Sequence, residues 1–135
     1  MKSPFDLSGR VALVTGGAGL LGVEHARALA EAGARVILGD VNLEAARSRA
    51  KELNASAVRL DVTDPASVRG ALEQTGGVQI LVNNAAIDAK AHAEGLVEAS
   101  RLEHFSLEQW ELEFKVGFTG ALPCHLLRGQ ERTCV

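Results

Sequence analysis

Short apolar runs alternate with stretches whose apolar residues recur every three or four positions, and this rhythm holds over the first two thirds of the chain. Val11 to Val14 is a compact apolar run closed by Thr15 and glycines, the pattern of a buried strand. From Gly19 to Ala32 the period changes: Gly22, Ala26, Leu29, Ala30 and Gly33 share one helical face, and Gly33 supplies a stop. Arg35 to Gly39 predicts a second strand, closed by Asp40. Leu43, Ala46, Ala50 and Leu53 line one face of a second helix, with Glu44, Arg47, Lys51 and Glu52 on its polar sides. Ala57 to Leu60 predicts a short third strand. Asp64-Pro65 starts a third helix, Asp64 as its cap and Pro65 at the first helical position, with Val68, Ala71 and Leu72 facing inward. Val78 to Val82 predicts a fourth strand.

Strands separated by helices of this length need crossover connections, which lay neighbouring strands parallel and cover both sheet faces. The expected fold class is therefore α/β: a partial doubly wound parallel sheet of the Rossmann type, strand order 3-2-1-4, with helices on both faces. After Asn84 the rhythm is lost. Residues 87–105 are mixed and alanine-rich, expected as a loop with some helical turn. A further helix is expected from Ser106 or Leu107, carrying Glu108, Trp110, Glu111 and Phe114.

Composition narrows the function classes. The chain has 135 residues, enough for one domain or part of a larger one. Its net charge of -3 comes from 14 basic and 17 acidic residues interspersed with one another, so no basic stripe offers itself to nucleic acid. No apolar run approaches the roughly 20 residues of a membrane span, and the start MKSPFDLSGR lacks the apolar segment of a secretory signal. Cys124 and Cys134 make neither a metal spacing nor a disulfide framework, so a cytoplasmic location is expected. His25, His92, His104 and His125 show no ligand spacing, and no metal site is expected. Glu94, Glu98, Glu103 and Glu108 are expected on a solvated face, Trp110 and Phe114 in packing, and Cys124 as a small buried apolar residue.

The chemistry-bearing pattern is Thr15 to Gly22, TGGAGLLG, between the first strand and the first helix. Gly16, Gly19 and Gly22 permit a tight turn whose backbone can approach a pyrophosphate, while the helix start turns its N–H groups toward the anion. A glycine turn alone is also what an ordinary loop looks like. Asp40, closing the next strand, adds a carboxylate where ribose hydroxyls need an acceptor. A cap for the following helix is the alternative use of Asp40. The expected cofactor is NAD and not NADP, because a 2′-phosphate would meet a like charge and Val41 and Asn42 bring no cation.

Three elements make the chain resemble the short-chain dehydrogenase/reductase family over about residues 5 to 121: TGGAGLLG, LDVTD with Asp61 and Val62, and LVNNAAID from Leu81 to Asp88. Leu20 stands at an intermediate glycine position, giving the TGxxGxxG spacing of the extended branch. The Asn-Asn-Ala element is that of the classical branch, which we favour, with Ala86 in place of the usual glycine. The resemblance implies that Gly16, Gly19, Leu21 and Gly22 line the pyrophosphate and adenosine ribose, and that Asp61 and Val62 border the adenine. It implies that Asn84 and Ala85 lie beside the ribose nearer the nicotinamide, with Asn84 also steadying the fourth strand. A plain turn residue is the alternative for Asp61, and a strand-ending turn for Asn83 and Asn84.

The family's reaction is hydride transfer between a nicotinamide and an alcohol or carbonyl substrate. It relies on a Tyr-x-x-x-Lys pair, a serine and an asparagine, the lysine bringing a phenol of pKa about 10 toward neutrality. This chain contains no tyrosine. Gly117, within Val116 to Gly120, stands where the family's asparagine is usual, and no serine matches the family's motif. The resemblance thus implies an NAD-binding portion, residues 1–121, with no catalytic residue. Residues 122–135, LPCHLLRGQERTCV, read as an atypical tail, because Pro123 falls where the family continues a helix and proline costs about 3 kcal/mol in a helix interior. An interrupted reading frame and a short protein lacking the catalytic half both remain open. A bare fourth-strand edge also leads us to expect self-association.

Overall fold

A computed structural model describes residues 4–87 and 102–130. Strand β1 is Val11–Thr15, helix α1 Leu20–Glu31, β2 Arg35–Asp40, α2 Leu43–Glu52, β3 Ser56–Arg59, α3 Pro65–Thr75 and β4 Ile80–Val82. A single 3-10 turn, Leu102–His104, precedes α4 at Leu107–Phe114. One π-helical turn, Lys115–Thr119, joins α4 to α5 at Ala121–Gln130.

The sheet order is β3-β2-β1-β4, with every pairing parallel. Val11 pairs with Arg35 and Thr15 with Gly39, and on the other side Ala12 pairs with Ile80. Because successive side chains of a strand point to opposite faces, β1 serves two cores at once. Val11 and Leu13, with Ile37, Val58 and Leu60, pack against Val68, Ala71 and Leu72 of α3 and Cys124 of α5. Ala12 and Val14, with Val36 and Leu38, pack against Ala26 of α1 and Ala46 and Ala50 of α2. Helices therefore cover both faces, as the alternation of the sequence predicts.

The element ends differ from the sequence reading in a few places, each with a local reason. The third strand begins one residue earlier, at Ser56, and ends at Arg59. The fourth begins at Ile80 and not Val78, because Gln79 is used otherwise: its N–H donates to the Val11 carbonyl and its side-chain Oε1 accepts the Val11 N–H at 2.7 Å. Asp64 caps α3 by accepting the Ala66 N–H, with Pro65 opening the helix. Ser106 caps α4 by accepting the Gln109 N–H.

Pro123 does not break the chain's last helix. The π turn ends at Thr119, so α5 starts afresh at Ala121 and Pro123 falls in its first turn, where the missing N–H is tolerated. Cys124 behind it is fully buried, as expected, and burial pushes its thiol up to about 11. Trp110 and Phe114, expected in packing, stand 56% and 49% exposed. They are held by each other: Phe105, Trp110, Phe114 and Phe118 form a file of ring contacts along the helix. His92, Glu94, Glu98 and Cys134, with the C-terminal part of the tail, lie outside the described residues, as does most of the segment expected as a loop over 87–105. Among the described residues, no helix is long and apolar enough to cross a membrane, and no cluster of His, Cys, Asp and Glu could hold a metal ion.

Candidate functional site

Parallel strands bring all their C-terminal ends to one side of a sheet, and there the loops after β1, β2, β3 and β4 converge. Between them lies a cavity of about 160 Å³ bordered by Gly16, Asp40, Asp61, Val62 and Ala85. These five come from four different connections. A larger open groove of about 570 Å³ lies against α2 and β3, including Glu44, Arg47 and Lys51, and contains none of the glycine-turn residues.

The glycine turn is shaped by what presses on it. Gly16 has φ +63°, and a Cβ there would lie 2.8 Å from the Ala85 Cα. Gly22 is as constrained, because a Cβ would meet the Gly16 carbonyl oxygen and lie 2.9 Å from the Gly17 Cα. Only a residue without a side chain lets strand, turn and helix approach this closely. The start of α1 is unlike its neighbours. Asn42, Asp64 and Ser106 cap α2, α3 and α4 with their side chains, whereas Gly19 before α1 gives no side-chain cap, and no acidic residue lies in that first turn. A helix start of this kind suits an anion. The Leu21 side chain is 65% exposed, so any contact it makes with a bound group comes from the surface of the turn.

Two strand ends clamp the turn. On the β4 side, the Thr15 hydroxyl accepts the N–H groups of Asn84 and Ala85, both at 3.0 Å, and donates to the Val82 carbonyl at 3.4 Å. Asn84 returns the contact, its Nδ2 donating to the carbonyls of Thr15 and Gly16 at 3.1 Å each. This is the strand-steadying role expected for Asn84. On the β2 side, the Gly17 N–H donates to the Gly39 carbonyl, and the Ala18 N–H to Asp40 Oδ2 at 3.0 Å. Asp40 Oδ1 accepts the Asn42 N–H at 3.0 Å. The cap of α2 is Asn42, whose Oδ1 accepts the Ala45 N–H, so Asp40 is not the helix cap.

Asp61 is a turn residue that also lines the cavity. Oδ1 accepts the Thr63 N–H at 2.9 Å and the Thr63 hydroxyl at 2.7 Å, closing a turn, while the residue also borders the cavity. The Thr63 hydroxyl and backbone bonds hold its carboxyl below the ordinary carboxylate value. The Asp61 N–H donates to Ser67 Oγ.

Three residues escape a reading by motif. Thr15 is only the first letter of the glycine turn in the sequence, yet it is the hub of the β4 clamp. Val116 reaches the cavity wall from the π turn, remote in sequence from the rest. Arg59, at the end of β3, donates to the Val41 carbonyl at 3.2 Å and brings a cation to the rim. The alignment of β2 with β3, which pairs Asp40 with Arg59, is the signal that finds it.

The residues present fit a nucleotide. The uncapped helix start suits a phosphate, and the slim glycine turn admits its close approach. A carboxylate offers about four acceptor positions, so Asp40 keeps two for hydroxyl groups after its two backbone bonds. The cavity between Asp61, Val62 and Val116 is part apolar and part polar, as a base requires.

Comparison with known proteins gives a consistent result. Residues 10–127 match the sequence model of the family described as short chain dehydrogenase. The chain is 38% identical over 120 residues to a 3-alpha-(or 20-beta)-hydroxysteroid dehydrogenase of Mycobacterium tuberculosis, an alignment taking in 84% of this chain and 43% of that one. Among solved structures it is similar to a 3-ketoacyl-(acyl-carrier-protein) reductase from Brucella melitensis complexed with NADH, with TM-score 0.73, 31% identity, and 89% and 48% of the two chains covered. It is also similar to a gluconate 5-dehydrogenase from Burkholderia cenocepacia in complex with NADP and tartrate, with TM-score 0.78, 32% identity, and 94% and 50% covered. The chain thus spans about half the length of these relatives, or somewhat less.

Proposed function

The chain belongs to the short-chain dehydrogenase family, and on that premise we propose that it is the NAD-binding portion of an oxidoreductase of this kind. The family reaction is hydride transfer between a nicotinamide and an alcohol or carbonyl. The observation that carries the reading is the meeting of Gly16, Asp40, Asp61, Val62 and Ala85 around one cavity at the C-terminal ends of the strands. In it, the backbone from Gly16 to Gly22, Leu21 included, takes the pyrophosphate beside the start of α1. Asp40 accepts the adenosine ribose hydroxyls, Asp61 and Val62 border the adenine, and Asn84 and Ala85 lie toward the second ribose. When bound, the nicotinamide supplies the hydride donor or acceptor. A cytoplasmic location goes with this reading.

NAD is preferred to NADP because the Asp40 carboxylate, at the end of β2, would meet a 2′-phosphate with like charge. The two solved relatives carry different dinucleotides, so similarity alone leaves the choice to this residue. Arg59 at the rim is the observation on the other side. A phosphate that turned away from Asp40 toward Arg59 would make NADP the cofactor.

The groups that perform the family's proton chemistry are not matched in this chain, which has no tyrosine and carries Gly117 at the usual asparagine position. We therefore read the chain, acting alone, as a nucleotide binder without turnover, holding mainly the adenosine half. AMP and ADP-ribose should then bind about as well as NAD, and all of them weakly, since each 1.4 kcal/mol of lost contact is about tenfold in affinity. Calorimetry with AMP, NAD and NADP, alongside an absorbance assay for NADH with alcohols, tests each part. NAD binding far tighter than AMP contradicts the half-site, tighter NADP binding contradicts the role of Asp40, and NADH formation contradicts the lack of turnover.

A further inference from the structure

Asp40 touches the glycine turn directly, and this contact has a consequence for binding that a ribose acceptor alone would not have. Its Oδ2 accepts the Ala18 N–H at 3.0 Å across the gap between the β1 and β2 ends. Its Oδ1 accepts the Asn42 N–H at 3.0 Å, and Asn42 in turn caps α2 through the Ala45 N–H. One carboxylate thus bridges the middle of the glycine turn and the start of the next helix. The adjoining contact, from the Gly17 N–H to the Gly39 carbonyl, fixes the neighbouring peptide to the same strand end. On its other flank the turn is held by Asn84.

We infer that Asp40 is a positioning residue for the pyrophosphate subsite, fixing the glycine turn through Ala18, in addition to serving the ribose. The inference rests on the reading that this end of the sheet takes the adenosine half of a dinucleotide. The carboxylate is anionic, so its bond to the Ala18 N–H is stronger than a bond between neutral groups. It holds the turn in the geometry that lets Gly16 and Gly22 pass close to a phosphate. The two remaining acceptor positions of Asp40 are left for hydroxyl groups. The residue that selects the ribose is then also the one that shapes the phosphate cradle, and the two subsites cannot be altered independently through it.

The two roles give opposite signs in one measurement. The 2′,3′-dideoxy form of ADP has no ribose hydroxyl for Asp40 to accept. If Asp40 acts on nucleotides only through the ribose, Asp40→Ala leaves the affinity for this ligand unchanged, or raises it by removing a like charge near the diphosphate. If Asp40 holds the turn, Asp40→Ala weakens it, by about tenfold for the loss of one charge-assisted hydrogen bond. Asp40→Asn keeps the side-chain volume but sets an amide NH2 against one of the two backbone N–H donors, so its effect should fall between. The amide exchange rate of Ala18, followed by NMR on the whole chain without ligand, gives an independent reading and should rise in Asp40→Ala. Unchanged Ala18 exchange together with unchanged or tighter dideoxy-ADP binding overturns the inference. If the unsubstituted chain binds no nucleotide at all, the nucleotide reading fails, and the Ala18 exchange rate still decides whether Asp40 holds the turn.

Discussion

Thr15 shows how much one hydroxyl can carry. It is 1% exposed and saturated, accepting two N–H groups and donating to one carbonyl. Thr15→Val keeps the shape and removes the acceptor, leaving the Asn84 and Ala85 N–H groups short of a partner. Both contacts are part-buried, so water can partly replace the lost acceptor. At about 0.5–1.5 kcal/mol for each hydrogen bond, a loss of about 1–3 kcal/mol is expected in urea unfolding, with Thr15→Ser much milder. Asp61 gives a pH signature. Its folded carboxyl lies below the ordinary value of 3.8, so the stability it contributes is full above that value and is lost as the pH falls through the lower, folded one. Asp61→Asn should therefore flatten the acid limb of the stability curve and leave its neutral and alkaline parts parallel to the parent, as urea midpoints across the acid range will show. The glycines of the turn were legible in the sequence because close backbone approach demands them there, whereas Asp40 was picked out by its place at the end of the second strand and Asp61 by the LDVTD element. Thr15, Arg59 and Val116 were not, because their roles arise from strand register and helix packing, which no local spacing encodes.

Elements were read more surely in kind than in extent. Periodicity identifies a helix or strand, whereas its ends depend on which backbone groups find partners, as Gln79 does at the start of β4. The helical stretch after residue 106 was the hardest to read. Pro123 is a disruption only in one continuous α-helix; the π turn resets the count. Such turns are frequent at functional positions, and this one carries Val116 to the cavity and holds Gly117. A Cβ added at Gly117 would meet nothing within 4 Å. Gly117→Ala should thus raise stability by about 0.5–1 kcal/mol through the unfolded chain's lost freedom, visible as a higher melting temperature. A lower one would mean that the turn needs glycine there.

At the scale of the molecule, β3 and β4 are the outer strands of the sheet among the described residues. Ile80, Leu81 and Val82 of β4 are only half-buried, and among the described residues no strand pairs with their outer edge. Beside it, Phe114, Phe118 and Leu122 border an apolar groove of about 490 Å³ with Asn83 and His125. Phe118 is 70% exposed. An apolar edge flanked by bare rings favours pairing with another chain. Sedimentation should show association that grows with concentration and is weakened by Phe118→Glu; a stable monomer at all concentrations would count against it. The strand order was legible because alternation and crossover geometry leave few arrangements. The exposure of the aromatic file was not, because helical spacing tells which residues share a face and not what covers it.

The Thr15–Asn84 clamp joins residues 69 apart in sequence, whereas β1 and β2 are linked by a single helix. Closing the longer loop loses more chain entropy before any contact compensates it. The β1-α1-β2 unit should then form early in refolding and β4 dock late, so that the Asn84 side of the cradle is completed near the end. A nucleotide that needs the finished cradle has nothing to hold in the transition state. Stopped-flow experiments with saturating AMP should therefore find the unfolding rate slowed and the refolding rate unchanged. Faster refolding would instead put the clamp inside the nucleus.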